Sequence, residues 1–290
     1  MAPIIIDDQA GLKVLLAHIV ERVREEKNQL VFVDLEGVNL GRLGAVAIMQ
    51  LLVPPSPIVY LIDVHVLGAK AFEVSTDDAT SLKSVLESKT IFKVFFDIRN
   101  DSDALFSHFG VNVAGVIDLQ VIEYATRQPR GKFVNGLAKC IEKDLPYTPG
   151  WSLIKANGRR LFVPEWGGKY EVFLERPLAA DIAKYCEQDL VVMPRLLAMY
   201  GPKLPTGLAP QIRTIVDDRI RCSKEATFNG KGRHMAIGPY LAPARNNANM
   251  ASSPEMELVC SDRLGHLCRL DDSPLDNLTD QFNALQVKHK

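Results

Sequence analysis

The sequence predicts an α/β domain in which a central mixed β-sheet is flanked by helices. Three features point there. Apolar runs at 30–33, 45–53 and 58–63 follow one another closely, as the strands of an antiparallel meander do. Helical and extended patterns then alternate from 78 into the helix starting at Asp118, as they do when helices cover a sheet. An amphipathic helix precedes the strands and a long one follows them, so there is apolar surface for both faces.

Taken in order, the residues at 3–6 read as a short strand, and Asp7 or Asp8 is placed to cap the helix after it. That helix carries Leu12, Leu15, Leu16, Ile19, Val20 and Val23 on one stripe. Pro54, Pro55 and Pro57 make the turn between the second and third strands of the meander. A helix over 78–88, a strand over 91–96 and a helix over 100–109 come next. A short strand near Val116 leads into a helix starting at Asp118, and a further helix spans 134–142. The stretch 147–172 is rich in Gly, Pro and aromatic residues and reads as irregular loop. A helix over 177–200 would have Pro177 in its first turn and Pro194 as an internal kink. Ile212, Ile215, Val216 and Ile220 form a last helical stripe. From Lys231 on, Gly, Pro, Asn and Ser predict mostly extended or disordered chain, with a weak helix over 274–285. The expected division is thus a main domain over 1–200, a helical extension packed on it over 201–230, and an irregular tail over 231–290.

Bulk properties narrow the functional classes. The 290 residues are 47% hydrophobic and 24% charged, and the formal net charge is −1, so no global basic field exists and any polyanion must meet a local patch. Five cysteines without a C-x-x-C pair fit reduced thiols, and the amino terminus lacks a signal-peptide pattern. The expectation is an intracellular protein of the nucleus or cytoplasm. The six histidines are spread without zinc-ligand spacing.

Polar residues set among apolar ones carry the chemistry. Asp34 and Glu36 follow the apolar run 30–33 and are two apart, so on an extended chain both leave one face. Tyr185 and Asp189 are four apart and share a helix face. Asp101 stands at the start of the helix over 100–109, where an N-terminal capping role is equally open to it. Carboxylates at the end of a buried strand need a counter-charge, and a divalent cation supplies one. Asp34 and Glu36 could alternatively pair with Arg42, and Tyr185 and Asp189 could be a packing residue and a surface acid. Taken together, Asp34, Glu36, Asp101 and Asp189 offer the hard oxygen ligands that Mg²⁺ prefers, and the hydroxyl of Tyr185 could align a water.

The motifs VFVDLEGV, KVFFDIRNDSDALFSHFG and Tyr185-x-x-x-Asp189, in that order over 28–200, resemble the DEDD superfamily of 3′–5′ exonucleases. The tyrosine in the last motif marks the DEDDy subclass. The nearest likeness is to its ribonuclease D-like branch and to the exonuclease-domain proteins of fungi and plants. Phe96 departs from the histidine common in that branch, and Asp97 and Asp103 are rival carboxylates beside Asp101. The resemblance implies a ribonuclease H-like fold and two divalent cations, Mg²⁺ or Mn²⁺. By it, Asp34 would bridge both, Glu36 and Asp189 would hold the cation that carries the attacking water, Asp101 would serve the second, and Tyr185 would orient the water. The implied activity is release of nucleoside monophosphates from the 3′ end of single-stranded nucleic acid, RNA before DNA. Lys155, Arg159 and Arg160, and further on Arg219, Arg221, Lys224, Lys231 and Arg233, are candidate phosphate contacts, and Trp151, Phe162 and Trp166 candidate base-stacking residues. A nuclease fold that binds RNA or scaffolds a partner without catalysis is the rival reading, and a metal-dependent phosphatase acting on small nucleotides is a third.

Overall fold

In a computed structural model, residues 2–25, 30–145, 148–205 and 207–242 are described. β1 (Ile4–Ile6) leads into α1 (Gln9–Glu25), where Asp8 Oδ1 accepts from the amide of Gly11 at 2.7 Å as the expected cap. The stripe Leu12, Leu15, Leu16 and Ile19 is fully buried; at about 1.5–3 kcal/mol per side chain removed from water, it fixes the helix on the body. β2 (Leu30–Val38), β3 (Ala45–Leu52) and β4 (Val59–Asp63) form the expected antiparallel meander. Short helices α2 (Val64–Leu67) and α3 (Lys70–Glu73) then precede α4 (Leu82–Glu87), β5 (Phe92–Phe95) and α5 (Arg99–Phe109). β6 (Val116–Asp118), α6 (Leu119–Thr126), α7 (Leu137–Asp144), α8 (Trp151–Phe162), α9 (Ala180–Tyr200) and α10 (Ala209–Ser223) complete the order.

The six strands form one sheet in the order β1-β4-β3-β2-β5-β6. β1 is parallel to β4, and β2, β5 and β6 are mutually parallel neighbours, so β3 alone runs against both its partners. This is a mixed sheet with helices packed on it. α9 lies across β2, β3 and β4, while α10 packs on α5, α6 and β6.

Several expectations from sequence change. The helix over 78–88 shortens to α4, because Ser81 stops it with a reciprocal capping box to Ser84. The helix expected over 134–142 runs instead over Leu137–Asp144. The stretch 147–172 is no irregular loop: it holds the twelve residues of α8 and 3₁₀ turns at Pro164–Trp166 and Tyr170–Phe173. Gly158 sits inside α8 as a packing residue, not a breaker. The last long helix begins at Ala180, so Pro177 lies before it rather than in its first turn; Pro194 is internal, as expected. The described residues from Lys231 to Ala242 are irregular apart from a 3₁₀ turn at Arg233–Ala236, yet they are tied down: Val134 donates to the Ala236 carbonyl at 2.9 Å, and Gly238 to that of Lys132 at 2.9 Å. The weak helix expected over 274–285 lies outside the described residues.

Candidate active site

The site is built where β2 outruns a neighbour. β2 pairs with β5 only from Leu30 to Phe32, whereas its pairing with β3 continues to Val38. Asp34 and Glu36 therefore lie within the strand, not past its end as the apolar run suggested, but the edge facing β5 is free at their level. β5 ends at Phe95 and the chain turns there into α5, which brings Asp101 beside that edge. A bulge between Glu36 and Gly37 closes the motif. Gly37 is required there, because a Cβ would meet the Ala45 carbonyl oxygen at 2.0 Å.

α9 supplies the second half. Arg176 clamps the fully buried Asp63 at the end of β4 through Nε and, at 2.6 Å, through Nη2, which fixes where the chain enters α9. Tyr185 and Asp189 are buried on the sheet-facing side of that helix. The ring of Tyr185 is held edge-on to Phe162 at 5.0 Å and to Phe173 at 6.5 Å, and none of the hydrogen bonds among the described residues involves its hydroxyl. Phe162 and the buried Trp151 are thus core residues, whereas the half-exposed Trp166 carries the Arg159 guanidinium 4.7 Å from its ring.

Oxygen atoms of Asp34, Glu36 and Asp189 all come within 4.8 Å of one another, as ligands of a single cation would. Asp101 stands outside that cluster but close enough for its charge to be felt: burial, and then Asp34, Asp97 and Glu36, raise its pKa. The rival acids are taken. Asp97 is held by Arg99 at 2.5 and 2.6 Å, and Asp103 by Arg42 at 2.7 Å, which removes Arg42 from Asp34 and Glu36 as well. Asp101, by contrast, keeps a buried Oδ1 with no hydrogen-bond partner, and so does Asp189. A buried carboxylate oxygen without a partner is costly unless something cationic joins it. These two orphaned atoms, with an all-oxygen donor set, fit hard divalent cations.

Electrostatics agree with the geometry. Burial, and then the charge of Asp189, push Asp34 up to about 7. Burial and Asp34 push Glu36 well above the carboxylate range, and burial raises Asp189. Burial and then Glu36 raise Tyr185, which keeps its hydroxyl protonated. Among the described residues, the cation set against this repulsion is Lys155 on α8. Its ammonium donates to Asp189 Oδ2, and its charge lowers Asp34, Glu36 and Asp189 alike. It also lies 4.2 Å from the centre of the Tyr185 ring. Lys155 was expected to meet phosphate from a loop; it sits on a helix, inside the acidic cluster.

Other basic candidates are engaged elsewhere. Arg219 is buried and donates to the fully buried Asp118 at 2.7 Å; Asp118 also accepts from the amides of Asp97, Ile98 and Gln120, so it is both the cap of α6 and a brace for the turn before α5. Arg221 pairs with Asp218 and Glu225, Lys224 donates to Asn112, and Lys231 reaches Asn39 just beyond β2.

Residues 4–204 match the family model described as 3′-5′ exonuclease. The chain belongs to the 3′–5′ exonuclease family. Within it, this is a DEDD-superfamily exonuclease-domain protein with the ribonuclease H-like fold. The piRNA biogenesis protein EXD1 of human is 35% identical over 71% of the chain, and that of mouse 30% identical over 70%. The chain spans only 38% and 34% of those two relatives. Among solved structures, Trypanosoma brucei RNase D in a GMP complex superposes with a TM-score of 0.62 at 20% identity, covering 81% of this chain and 68% of that one. Escherichia coli RNase D, an exoribonuclease involved in structured RNA processing, gives 0.58 at 19% identity, covering 78% and 52%. These likenesses show the fold. No described helix is long and apolar enough to cross a membrane.

Proposed function

We propose that this protein is a metal-dependent 3′–5′ exonuclease that removes nucleoside 5′-monophosphates from single-stranded nucleic acid, with RNA as the preferred substrate. The observation that carries it is the convergence of Asp34, Glu36 and Asp189 oxygens within 4.8 Å, with orphaned buried oxygens on Asp189 and Asp101. In this reading Asp34, Glu36, Asp101 and Asp189 are the residues that would hold the divalent cations. When bound, two divalent cations activate a water and neutralise charge on the phosphate and leaving oxygen. The chain's own part is to place and protect the reaction. Tyr185, locked by Phe162 and Phe173, presents a protonated hydroxyl that orients the attacking water. The preference for RNA rests on the relatives named for piRNA biogenesis, which makes short single-stranded RNA the first substrate to try.

One observation favours a second reading. Lys155 already neutralises part of the cluster, as a permanent internal cation would in a nuclease fold kept for RNA binding or scaffolding. A digestion time course on 5′-labelled single-stranded RNA and DNA, with Mg²⁺ or Mn²⁺ and with Asp189→Ala alongside, separates the two. A metal-dependent ladder shortening from the 3′ end and absent in the variant supports the exonuclease. Retained RNA binding without cleavage of either strand supports the non-catalytic protein.

A further inference from the structure

We propose that Lys155 is an exchangeable counter-ion: it occupies Asp189 while the cation site is empty, yields that oxygen when a divalent cation enters, and then finds its anion on the bound phosphodiester. Cation loading and substrate binding are thereby coupled through one side chain. The inference rests on the metal-centre reading above and adds to it a residue outside the acidic and tyrosine motifs.

Three features of the chain carry it. Lys155 is the cationic side chain whose charge acts on Asp34, Glu36 and Asp189 together, and its ammonium is bonded to Asp189 Oδ2, an oxygen of the cluster itself. An ammonium in contact with that oxygen and a divalent cation bound there repel each other at short range in a poorly solvated site, so one must leave. Second, the helix beneath it cannot retreat. Gly158, one turn on, packs so closely on Tyr185 that a Cβ would lie 2.6 Å from the tyrosine Cβ. The Gln188 amide, oriented to satisfy both its ends, accepts from the Lys155 amide at 3.1 Å and donates to the Trp151 carbonyl at 3.0 Å. Exchange is therefore confined to the lysine side chain. Third, that side chain has somewhere to go. It is 18% exposed while Asp189 is 7% exposed, and the Tyr185 ring face, 4.2 Å from the ammonium, stays available to it. A lysine suits this role because its flexible stem carries a point charge with rotatable donors; the planar fork of an arginine would grip the carboxylate at two points.

The test is Mn²⁺ binding to the full chain at pH 8, read from the free-ion EPR signal, for the unmodified protein, Lys155→Gln and Lys155→Arg. Each is measured with and without a five-nucleotide single-stranded RNA made resistant to cleavage by phosphorothioate linkages. Lys155→Gln should bind Mn²⁺ about tenfold more tightly than the unmodified protein in the absence of RNA, and Lys155→Arg no more tightly than it. RNA should tighten Mn²⁺ binding to the unmodified protein by about fivefold or more, the lower end of ordinary coupling between sites, and by less than about twofold in Lys155→Gln. Equal or weaker Mn²⁺ binding by a Lys155→Gln protein with an unchanged circular dichroism spectrum would overturn the proposal, as would RNA coupling that survives the substitution. Should Lys155→Gln not fold, tighter binding by Lys155→Arg than by the unmodified protein would overturn it equally. Failure of every protein to take up Mn²⁺ would overturn the metal-centre reading as well, so the two failures are distinguishable.

Discussion

A methyl group on Gly158 would lie 2.6 Å from the Cβ and 2.7 Å from the Cδ2 of Tyr185. The missing side chain is what lets α8 approach α9 closely enough for Lys155 to reach Asp189. Alanine at this position gains about 1 kcal/mol of helix propensity. It loses about 1–3 kcal/mol to overpacking, because the opposing atoms belong to a ring root rather than a flexible tip. Gly158→Ala should therefore lower stability by up to about 2 kcal/mol in urea unfolding and reduce nuclease turnover further than that loss explains. A variant as stable and active as the parent would show that the two helices have room to spare.

The raised carboxylates give the metal-free protein a pH dependence with a definite sign. Asp34 titrates near 7 in the folded chain and near 3.8 when unfolded. Between those values the folded state keeps a proton that the unfolded state has lost, so stability falls as pH rises from about 4 to about 7. The loss is on the order of 2 kcal/mol after allowance for partial solvation. In EDTA, Tm should be lower at pH 8 than at pH 5.5, and Asp34→Asn should flatten that difference. Mn²⁺ should raise Tm more at pH 8 than at pH 5.5, because uptake needs ionised carboxylates. Equal Mn²⁺ effects at both pH values would argue against this carboxylate cluster as the binding site.

Tyr185→Phe deletes one hydroxyl and leaves the ring packing on Phe162 and Phe173 intact. Single-turnover cleavage should slow about tenfold to a hundredfold while RNA affinity stays within about twofold. Lost affinity with an unchanged single-turnover rate would make the tyrosine a substrate contact instead.

Arg219 and Asp118 join α10 to the junction of β5, β6 and α5 through a buried ion pair at 2.7 Å. Arg219→Ala leaves Asp118 with its three amide donors but without a counter-charge, which should cost about 3 kcal/mol in chemical denaturation. Arg219→Met should do no better, since it too removes only the cation. If either variant unfolds at the same urea concentration as the parent, α10 adds little to the stability of the nuclease body.

Much of the site was legible because its periodicities are local. Two residues apart on a strand and four apart on a helix put Asp34 with Glu36, and Tyr185 with Asp189, on common faces whatever the rest of the chain does. That Asp101, and not Asp97 or Asp103, keeps a buried oxygen without a hydrogen-bond partner was not legible from residue types, since all three acids flank the start of one helix. It was decided by two arginines, Arg99 and Arg42, that occupy the other two. α8 was hidden by Gly158, whose helix-breaking signal is outweighed by packing that appears only when α9 is beside it.

By itself the sequence determined the order of the motifs, the meander that presents Asp34 and Glu36, and the face of α9 that carries Tyr185 with Asp189. The tertiary structure alone decided that β2 continues past β5, that Asp101 remains unpaired, and that Lys155 enters the acidic cluster from 34 residues away. Spacing along the chain sets which side chains share a face. Which charges meet depends on how closely two elements pack, and here one missing Cβ at Gly158 sets that distance.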